Sequence, residues 1–245
     1  MAGFSLAYRL HRFAWTALDW VFPPVCGGCN TLGSRWCSAC QKNVPILRGN
    51  VCDSCGTPQD VKGLCPTCEH EHPPYLSLRS WAVFDDPIRQ ALHGLKYRRN
   101  VGLGDSLAAQ MAEFLRALAW PIDIIAPIPL SDTRHRERGY NQVGMIAQPL
   151  ALALGMTYAP KALARSRNTR SQVGLSKEQR RENVRDAFQA DRARVGGRAV
   201  LLMDDVATTG STLSSGAEAL FSAGASQVYA FTVARALTRH GLRQA

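Results

Sequence analysis

Residues 199–212, Ala-Val-Leu-Leu-Met-Asp-Asp-Val-Ala-Thr-Thr-Gly-Ser-Thr, join an apolar run to two adjacent acids and a loop of small hydroxylated residues. The run 199–203 has the length and branching of a buried parallel strand. Asp204 and Asp205 then stand at its carboxyl end, where open α/β sheets bind ligands. Residues 211–221 have helical composition, so the loop opens a helix whose free N–H groups suit a phosphate. This stretch predicts an α/β fold with a ligand site at the end of the strand.

The residue types in this stretch indicate the chemistry of the ligand. The carboxylates of Asp204 and Asp205 repel a phosphate, but they accept hydrogen bonds from sugar hydroxyls or bind a hard cation. Gly210 lets the backbone approach an anion, and the neighbouring hydroxyls add donors. A diol beside a phosphate is what ribose 5-phosphate presents. A chance Asp-Asp turn before a Ser/Thr helix cap is the alternative, and the ordered string as a whole favours the ligand site.

The segment resembles the phosphoribosyl pyrophosphate (PRPP) signature of type I phosphoribosyltransferases. The resemblance implies that Asp204 and Asp205 hold the ribose 2- and 3-hydroxyls. It implies that the 5-phosphate is bound by Ala207, Thr208, Thr209, Gly210, Ser211 and Thr212. In 6-oxopurine transferases an acid four residues after the first signature acid assists N7 of the base, but Thr208 holds that position here. A neutral hydroxyl cannot act as a general base, so purine salvage of that type is disfavoured.

The cysteines form a second feature, because all eight fall into four Cys-x-x-Cys pairs within residues 26–68. The pairs are Cys26 and Cys29, Cys37 and Cys40, Cys52 and Cys55, and Cys65 and Cys68. Two such pairs complete a tetrahedral four-sulfur zinc site, so we predict two structural Zn²⁺ ions. Pairing between neighbours is favoured, and a cross-braced pairing of the first with the third is the alternative. A disulfide scaffold would need an oxidising compartment, and redox chemistry usually uses a single pair.

Two further segments follow the order expected of a PRPP site. The predicted strand 123–127 leads into a polar, arginine-rich loop at 130–139, where pyrophosphate is expected. The predicted pyrophosphate loop comprises Pro129, Leu130, Ser131, Arg134, Arg138 and Asn141. Residues 166–182 are polar and without period, and resemble the hood that closes over PRPP in type I transferases. The predicted hood loop comprises Arg167, Thr169, Gln172, Arg180 and Asn183. A solvated basic loop and a disordered linker are the respective alternatives.

The overall charge bears on partners. The chain has 245 residues and a net charge of +10, and most of its 29 basic residues are arginines. Phosphate-rich ligands or nucleic acid suit such a charge, and a merely solvated basic surface is the alternative. Residues 1–25 have the periodicity of an amphipathic helix. Arg9, Arg12 and Asp19 interrupt its apolar run, so we expect neither a signal peptide nor a membrane span.

These pieces together resemble the ComF (late competence) family of double zinc ribbon, phosphoribosyltransferase-like proteins. The resemblance rests on the cysteine pairs, the segments 95–97 and 138–142, the spaced pattern at 167–183 and Met203-Asp204-Asp205. It implies a cytoplasmic PRPP-binding protein that uses Mg²⁺ with PRPP and takes part in single-stranded DNA handling with competence proteins. It leaves phosphoribosyltransferase activity on an unknown acceptor open. The alternatives are a transferase of nucleotide metabolism without a DNA role, and a zinc-ribbon adaptor without catalysis.

The expected architecture follows from these segments. We predict a type I phosphoribosyltransferase-like α/β fold, with a mostly parallel sheet flanked by helices and an N-terminal cysteine-rich zinc-ribbon module. The predicted parts are the amphipathic helix over 1–25, the double zinc ribbon over 26–75 and the phosphoribosyltransferase-like domain over 76–245. A strand is also predicted over 157–164. In the ribbon, we expect Trp36 or Tyr75 to stack on unpaired bases.

Overall fold

The computed structural model describes residues 8, 19, 23–98, 100–166 and 187–237. The described strands are β1 (Ser77–Val83), β2 (Ile124–Pro127), β3 (Thr157–Tyr158), β4 (Leu163–Arg165), β5 (Phe188–Ala190), β6 (Ala199–Ala207) and β7 (Gln227–Arg235). The described helices are α1 (Ser38–Lys42), α2 (Pro66–His70), α3 (Ile88–Tyr97), α4 (Leu103–Leu118), α5 (Asp132–Arg138), α6 (Gln142–Leu154), α7 (Arg192–Val195) and α8 (Ser211–Ser222).

The central sheet has five parallel strands in the order β1-β7-β6-β2-β3. Strand β6 is the middle strand, and its residues pack on both faces. Leu201 and Met203 join the core on one face, and Val200 and Leu202 join the core on the other. A strand buried on both faces needs a continuous apolar run, which is why residues 199–203 predict it.

The chain moves from β6 to β7 on one side and from β2 to β3 on the other, so the order reverses between β2 and β6. The carboxyl ends of these two strands therefore flank the crevice in which open α/β sheets bind ligands. Helices α3, α4 and α6 cover one face of the sheet, while α8 and the antiparallel pair β4–β5 cover the other. Together with the N-terminal cysteine clusters, this parallel sheet confirms the predicted fold class.

The two cysteine-rich segments pack against different parts of this sheet domain. Cys26 and Cys40 are buried in the core that contains Leu103 of α4. The later segment instead pairs with the start of β1, where the N–H of Leu78 donates to the carbonyl of Ser54 at 2.7 Å. The first segment is thus part of the helical core, and the second is an extension of the sheet edge.

Two predicted elements differ from the structure. The predicted loop at 130–139 is wrong, because residues 132–138 form helix α5, whose first turn Ser131 caps. None of the residues in α5 is buried, so it has no apolar periodicity by which a helix could be recognised. The predicted strand at 157–164 is two strands: β3 joins the parallel sheet, and β4 pairs with β5.

Of the predicted N-terminal helix, the structure describes Tyr8 and Asp19, and the other residues of 1–22 lie outside the described residues. Tyr8 and Asp19 are both helical, and the Tyr8 side chain is buried in the core to which α4 also contributes. The Asp19 carboxylate accepts hydrogen bonds from the guanidinium of Arg35. The division at residues 25 and 75 stays a prediction. In the described part of the chain, no helix is long and apolar enough to cross a bilayer.

Candidate ligand cleft and cysteine clusters

A cleft of about 470 Å³ opens at the carboxyl ends of β2 and β6. From the predicted site it is lined by Pro129, Leu130, Ser131, Arg134, Arg138, Asp204, Asp205, Ala207, Thr208, Thr209, Gly210, Ser211 and Thr212. The structure thus brings the acidic pair, the hydroxyl-rich loop and the arginine-rich segment to one crevice. Strand β6 runs four residues further than the predicted strand, because its pairing with β7 continues to Ala207.

Asn141 is the predicted loop residue that does not line the cleft. Its carboxamide oxygen accepts hydrogen bonds from the N–H groups of Val143 and Gly144, which caps α6. Its amide nitrogen donates to the carbonyl of Ile128 at 2.8 Å. Asn141 therefore ties the start of α6 to the segment that leaves β2. The predicted hood residues Arg167, Thr169, Gln172, Arg180 and Asn183 lie outside the described residues.

The loop 207–212 has the local geometry of an anion cradle. Gly210 has a φ of +79°, a conformation that favours glycine, and it immediately precedes α8. The Thr209 and Ser211 hydroxyls lie 2.8 Å apart, and both residues line the cleft. The first N–H groups of α8 thus lie beside the hydroxyls of Thr209 and Ser211, and the N–H of Ser211 points at the Thr209 oxygen at 3.4 Å. Helix N-terminal N–H groups beside hydroxyls suit a phosphate.

The two acids are not equivalent. Asp205 is buried, and its carboxylate lies 2.6 Å from the ammonium of Lys96 and accepts a hydrogen bond from the amide of Gln142 at 3.0 Å. Burial opposes the charge on Asp205, but Lys96 and Gln142 outweigh it and lower the pKa of this carboxyl. The carboxylate of Asp204 accepts a hydrogen bond from the N–H of Asp205 at 2.8 Å, and among the described residues it forms no ion pair. Burial and the adjacent Asp205 charge raise the pKa of Asp204 to about 7.

A network missed by sequence reasoning holds Asp205. Gln142 accepts a hydrogen bond from Arg138 at 2.7 Å, and the Arg138 guanidinium lies 5.3 Å from the ring centroid of Tyr97. Tyr97 follows Lys96 at the end of α3. Arg138 therefore contacts the neighbour of the lysine that pairs with Asp205. The resemblance to ComF drew attention to 95–97 and 138–142, but only the fold shows that the two segments meet at Asp205.

Arg165 forms a second cationic wall that the sequence did not indicate. It lies at the end of β4, lines the cleft, and stacks its guanidinium 5.1 Å above the ring of Phe188. Burial and the nearby charge of Arg134 lower its pKa, while Asp204 opposes that effect. The guanidiniums of Arg134 and Arg165 repel each other, and an anion bound in the cleft would reduce this repulsion.

The eight cysteines form two clusters of neighbours, Cys26, Cys29, Cys37 and Cys40, and Cys52, Cys55, Cys65 and Cys68. Within each cluster all four sulfurs lie within 4.8 Å of one another. The Cys29–Cys37 and Cys55–Cys65 sulfurs are 3.6 and 3.7 Å apart. A tetrahedral ion with Zn–S bonds of 2.3 Å needs sulfurs about 3.8 Å apart. The two clusters therefore fit structural zinc.

The surroundings of the sulfurs favour the thiolate at some cysteines of each cluster and oppose it at others. The backbone N–H of Cys37 points at the sulfur of Cys26, and that of Cys65 points at Cys52, each at 3.3 Å. The hydroxyl and N–H of Thr31 lower the pKa of Cys29 to about 6. Burial and neighbouring sulfurs raise the pKa of Cys40. A divalent cation would allow all four sulfurs of a cluster to ionise together.

The expectation that Trp36 or Tyr75 stacks on unpaired bases is wrong. Trp36 is 8% exposed and Tyr75 is 6% exposed, so neither ring offers a face to a base. Trp36 packs in the core with the first cysteine cluster, and Tyr75 packs beside the loop that follows β6. Among the described residues, the exposed aromatic ring at the cleft is that of Tyr97, at 64%.

Comparison with known proteins adds evidence that is independent of this geometry. Residues 17–69 match the double zinc ribbon domain family. The DNA utilization protein YhgH of Salmonella typhi is 33% identical over 212 residues, which cover 83% of this chain and 92% of that protein. Competence protein F of Haemophilus influenzae is 29% identical, with 82% and 90% covered. Competence protein ComFC of Bacillus subtilis is 27% identical, with 81% and 83% covered.

Among solved structures, an adenine phosphoribosyltransferase is 21% identical with a TM-score of 0.38, aligned over 56% of this chain and 72% of that one. The family assignment rests instead on the relatives, which align with this chain over most of both lengths. The zinc-ribbon match covers the N-terminal part of the chain. The chain belongs to the ComF family, as the sequence motifs predicted.

Proposed function

We propose that this chain binds PRPP, with Mg²⁺ as the counter-ion of the ligand, in the cleft between β2 and β6. The observation that carries the proposal is that Asp204 and the loop 207–212 line one crevice with Arg134 and Arg165. A diol acceptor, a phosphate cradle and cationic walls within one small volume match the three functional groups of PRPP. The predicted ligand residues contribute to this proposal in different ways.

Asp204 is the direct acceptor for the ribose hydroxyls in this proposal, because Asp205 is already held by Lys96 and Gln142. Asp205 then mainly stabilises the end of β6 through these two contacts. Its second carboxylate oxygen accepts a hydrogen bond from any ribose hydroxyl within reach. The loop 207–212 cradles the 5-phosphate with N–H and hydroxyl donors. Residues 129–131 with Arg134 and Arg165 face the pyrophosphate, and the predicted hood would cover it.

Turnover as a phosphoribosyltransferase is a second candidate. The exposed ring of Tyr97 at the cleft rim offers an apolar face to an acceptor, which supports it. In that reaction an acceptor nitrogen forms a bond to C1 of the ribose. The bond between C1 and the pyrophosphate oxygen breaks, its electron pair leaves with pyrophosphate, and the proton of the acceptor passes to solvent. Measuring pyrophosphate release with a panel of metabolites and single-stranded DNA tests this candidate, and no release above buffer would contradict it.

We further propose that the protein acts in the cytoplasm in the handling of single-stranded DNA, together with competence proteins. The names of its relatives, DNA utilization protein and competence protein, support this role, as does the net charge of +10. In this role the zinc ribbons would form part of the surface that contacts the DNA. The alternative is a zinc-ribbon adaptor without catalysis, and titration with PRPP distinguishes it where the adaptor does not bind that ligand.

Calorimetric titration with PRPP and Mg²⁺ tests the binding proposal. We expect the wild type to bind, and Asp204→Asn to weaken binding by about 10- to 100-fold, since one charge-assisted acceptor is lost. Asp60→Asn, an exposed carboxylate of the second ribbon, serves as the matched control. Ribose 5-phosphate and pyrophosphate alone should each bind more weakly than PRPP. Unchanged affinity in Asp204→Asn, or no binding by the wild type, would refute the proposal.

A further inference from the structure

The second cysteine cluster lies against the loop that cradles the phosphate in the proposed function. Arg235, the last residue of β7, pairs in register with Ala207 at the start of that loop. Its guanidinium donates to the carbonyl of Cys55 and lies 3.4 Å from the hydroxyl of Thr57. The Thr57 hydroxyl in turn lies 3.1 Å from the Cys55 sulfur. One buried side chain therefore connects the strand beside the loop to the cysteine cluster.

Tyr75 makes a second connection from the other side of the loop. It follows the second cluster in the chain, and its side chain is 6% exposed. The side chain of Ser214, in the first turn of α8, interacts with the Tyr75 hydroxyl and opposes the burial that raises the pKa of Tyr75. The same hydroxyl would lie 3.2 Å from a Cβ at Gly210. The ring thus supports the turn that aims the α8 N–H groups into the cleft.

The charges make these contacts depend on the metal. Arg235 is 5% exposed, and in the part of the chain that the structure describes no carboxylate forms an ion pair with it. A zinc ion with four thiolates carries a net charge of about −2. The cluster is therefore the charge that can compensate Arg235. Loss of the metal removes this compensating charge and leaves a buried cation beside the loop.

The first cluster offers an internal comparison, because it has the same ligand spacing but a different position. It packs in the helical core with Trp36 and Leu103, on the face of the sheet opposite to α8. Cys37 and Cys65 are equivalent: each precedes a short helix, each is partly buried, and each directs its N–H to the first cysteine of its cluster.

We propose that the metal in the second cluster holds the phosphate-binding loop in place through Arg235 and Tyr75, so that its occupancy sets the affinity of the cleft for a phosphorylated ligand. Among the described residues, no such link joins the first cluster to this loop. The inference rests on the proposed function only in the choice of PRPP as the probe. The ordering of the loop by the metal can be measured without any ligand.

The test compares full-length wild type with Cys65→Ser and Cys37→Ser, each checked for zinc content by elemental analysis. Hydrogen exchange of the amides of residues 207–214 should be about tenfold faster in Cys65→Ser than in Cys37→Ser. PRPP affinity, measured with Mg²⁺, should fall about tenfold further in Cys65→Ser than in Cys37→Ser. Equal effects of the two substitutions on exchange would overturn the inference.

A milder pair of variants keeps the test decisive if either cysteine variant fails to fold. Tyr75→Phe removes the hydroxyl that faces Gly210 and Ser214, and should speed exchange at 207–214 about fivefold with the zinc content unchanged. Tyr229→Phe removes a hydroxyl from a similarly buried tyrosine on the opposite face of the sheet, and should leave this exchange unaltered. Unaltered exchange in Tyr75→Phe would also overturn the inference. If wild type fails to bind PRPP, the proposed function falls, while the exchange results still decide the link.

Discussion

Asp204 and Asp205 are adjacent in β6, but the pKa of the first carboxyl is raised and that of the second is lowered. Consecutive side chains of β6 point to opposite faces of the sheet. Asp205 therefore faces α3 and α6, where Lys96 and Gln142 hold its charge, and Asp204 faces the side of Arg165. The doublet predicts two ribose ligands from sequence, whereas the contacts distinguish an anchored carboxylate from one with an elevated pKa. Nothing in the local sequence separates them, because their partners lie about 40 to 110 residues away.

The elevated pKa of Asp204 predicts a stability gain when its charge is removed. A folded-state pKa of about 7, above the usual value near 3.9, means that the ionised form destabilises the fold. This cost is absent well below pH 4, grows between pH 4 and 7, and is complete above pH 7. Asp204→Asn should therefore raise the free energy of unfolding at pH 8, with a smaller gain at pH 5. Urea denaturation at both pH values, with Asp60→Asn as control, checks this; an equal gain at both pH values would contradict it.

The Lys96–Asp205 pair predicts a different pattern. Lys96→Met leaves the buried Asp205 charge without its cation, and should lower the free energy of unfolding by about 3 kcal/mol at pH 7. Adding Asp205→Asn removes the stranded charge, so the double variant should recover most of the loss. A double-mutant cycle by urea denaturation measures the coupling. Additive effects of the two substitutions would mean that the pair contributes no net interaction.

At the level of elements, capping residues mark a helix that the hydrophobic pattern does not predict. Helix α5 begins at the Ser131 cap and ends at Gly139, whose φ is +78°. No residue of this arginine-rich helix is buried, so its sequence has no apolar period and predicts a loop. By contrast, β6 and α8 are predicted well, because a buried strand and a helix after a glycine have strong local signals. The way the second ribbon docks on β1 has no such signal.

The docking of that ribbon predicts unequal effects of two glycine substitutions. Gly56 and Gly63 both have positive φ, so alanine costs about 1 kcal/mol of backbone strain at either position. At Gly63 a Cβ would meet nothing within 4 Å, but at Gly56 it would lie 2.2 Å from the carbonyl oxygen of Leu78. Gly56→Ala should therefore lower the free energy of unfolding by about 2 kcal/mol more than Gly63→Ala. Equal losses in thermal denaturation would contradict this docking geometry.

At the scale of the molecule, a basic sheet domain and two cysteine clusters form one packed structure. The first cluster is part of the helical core, and the second joins the sheet edge beside the cleft. The first metal site is thus part of the core, whereas the second metal site lies at the sheet edge beside the ligand cleft. The net charge of +10 is a property of the whole chain, and it bears on association with polyanions more than on the fold.

Metal removal should affect the entire fold. Because Cys26 and Cys40 are buried in the core with α4, loss of the first metal disturbs the packing of the largest helices. A zinc chelator should lower the thermal midpoint by about 10 °C or more, and added Zn²⁺ should restore it. Scanning calorimetry with and without chelator measures the change. An unaltered midpoint after the zinc is shown to be gone would mean that the clusters are not structural.

The proposed association with single-stranded DNA should depend steeply on salt. If arginines contact phosphates, the logarithm of the binding constant falls with the logarithm of salt concentration, with a slope of about −0.7 for each phosphate neutralised. Fluorescence anisotropy with a labelled oligonucleotide between low and physiological salt gives the slope, and a duplex of the same sequence serves as control. An affinity independent of salt would contradict phosphate contact.

Local order along the chain was enough to predict the central strand, the glycine-centred loop and the eight metal-ligating cysteines. Each of these depends on residue types at short spacing, and backbone geometry links such spacing to shape directly. The folded chain alone brought Lys96 to Asp205, Arg165 into the cleft, and Arg235 to the second cluster. These contacts join residues that are far apart in sequence, so they exist only once the sheet order and the packing of its faces are established.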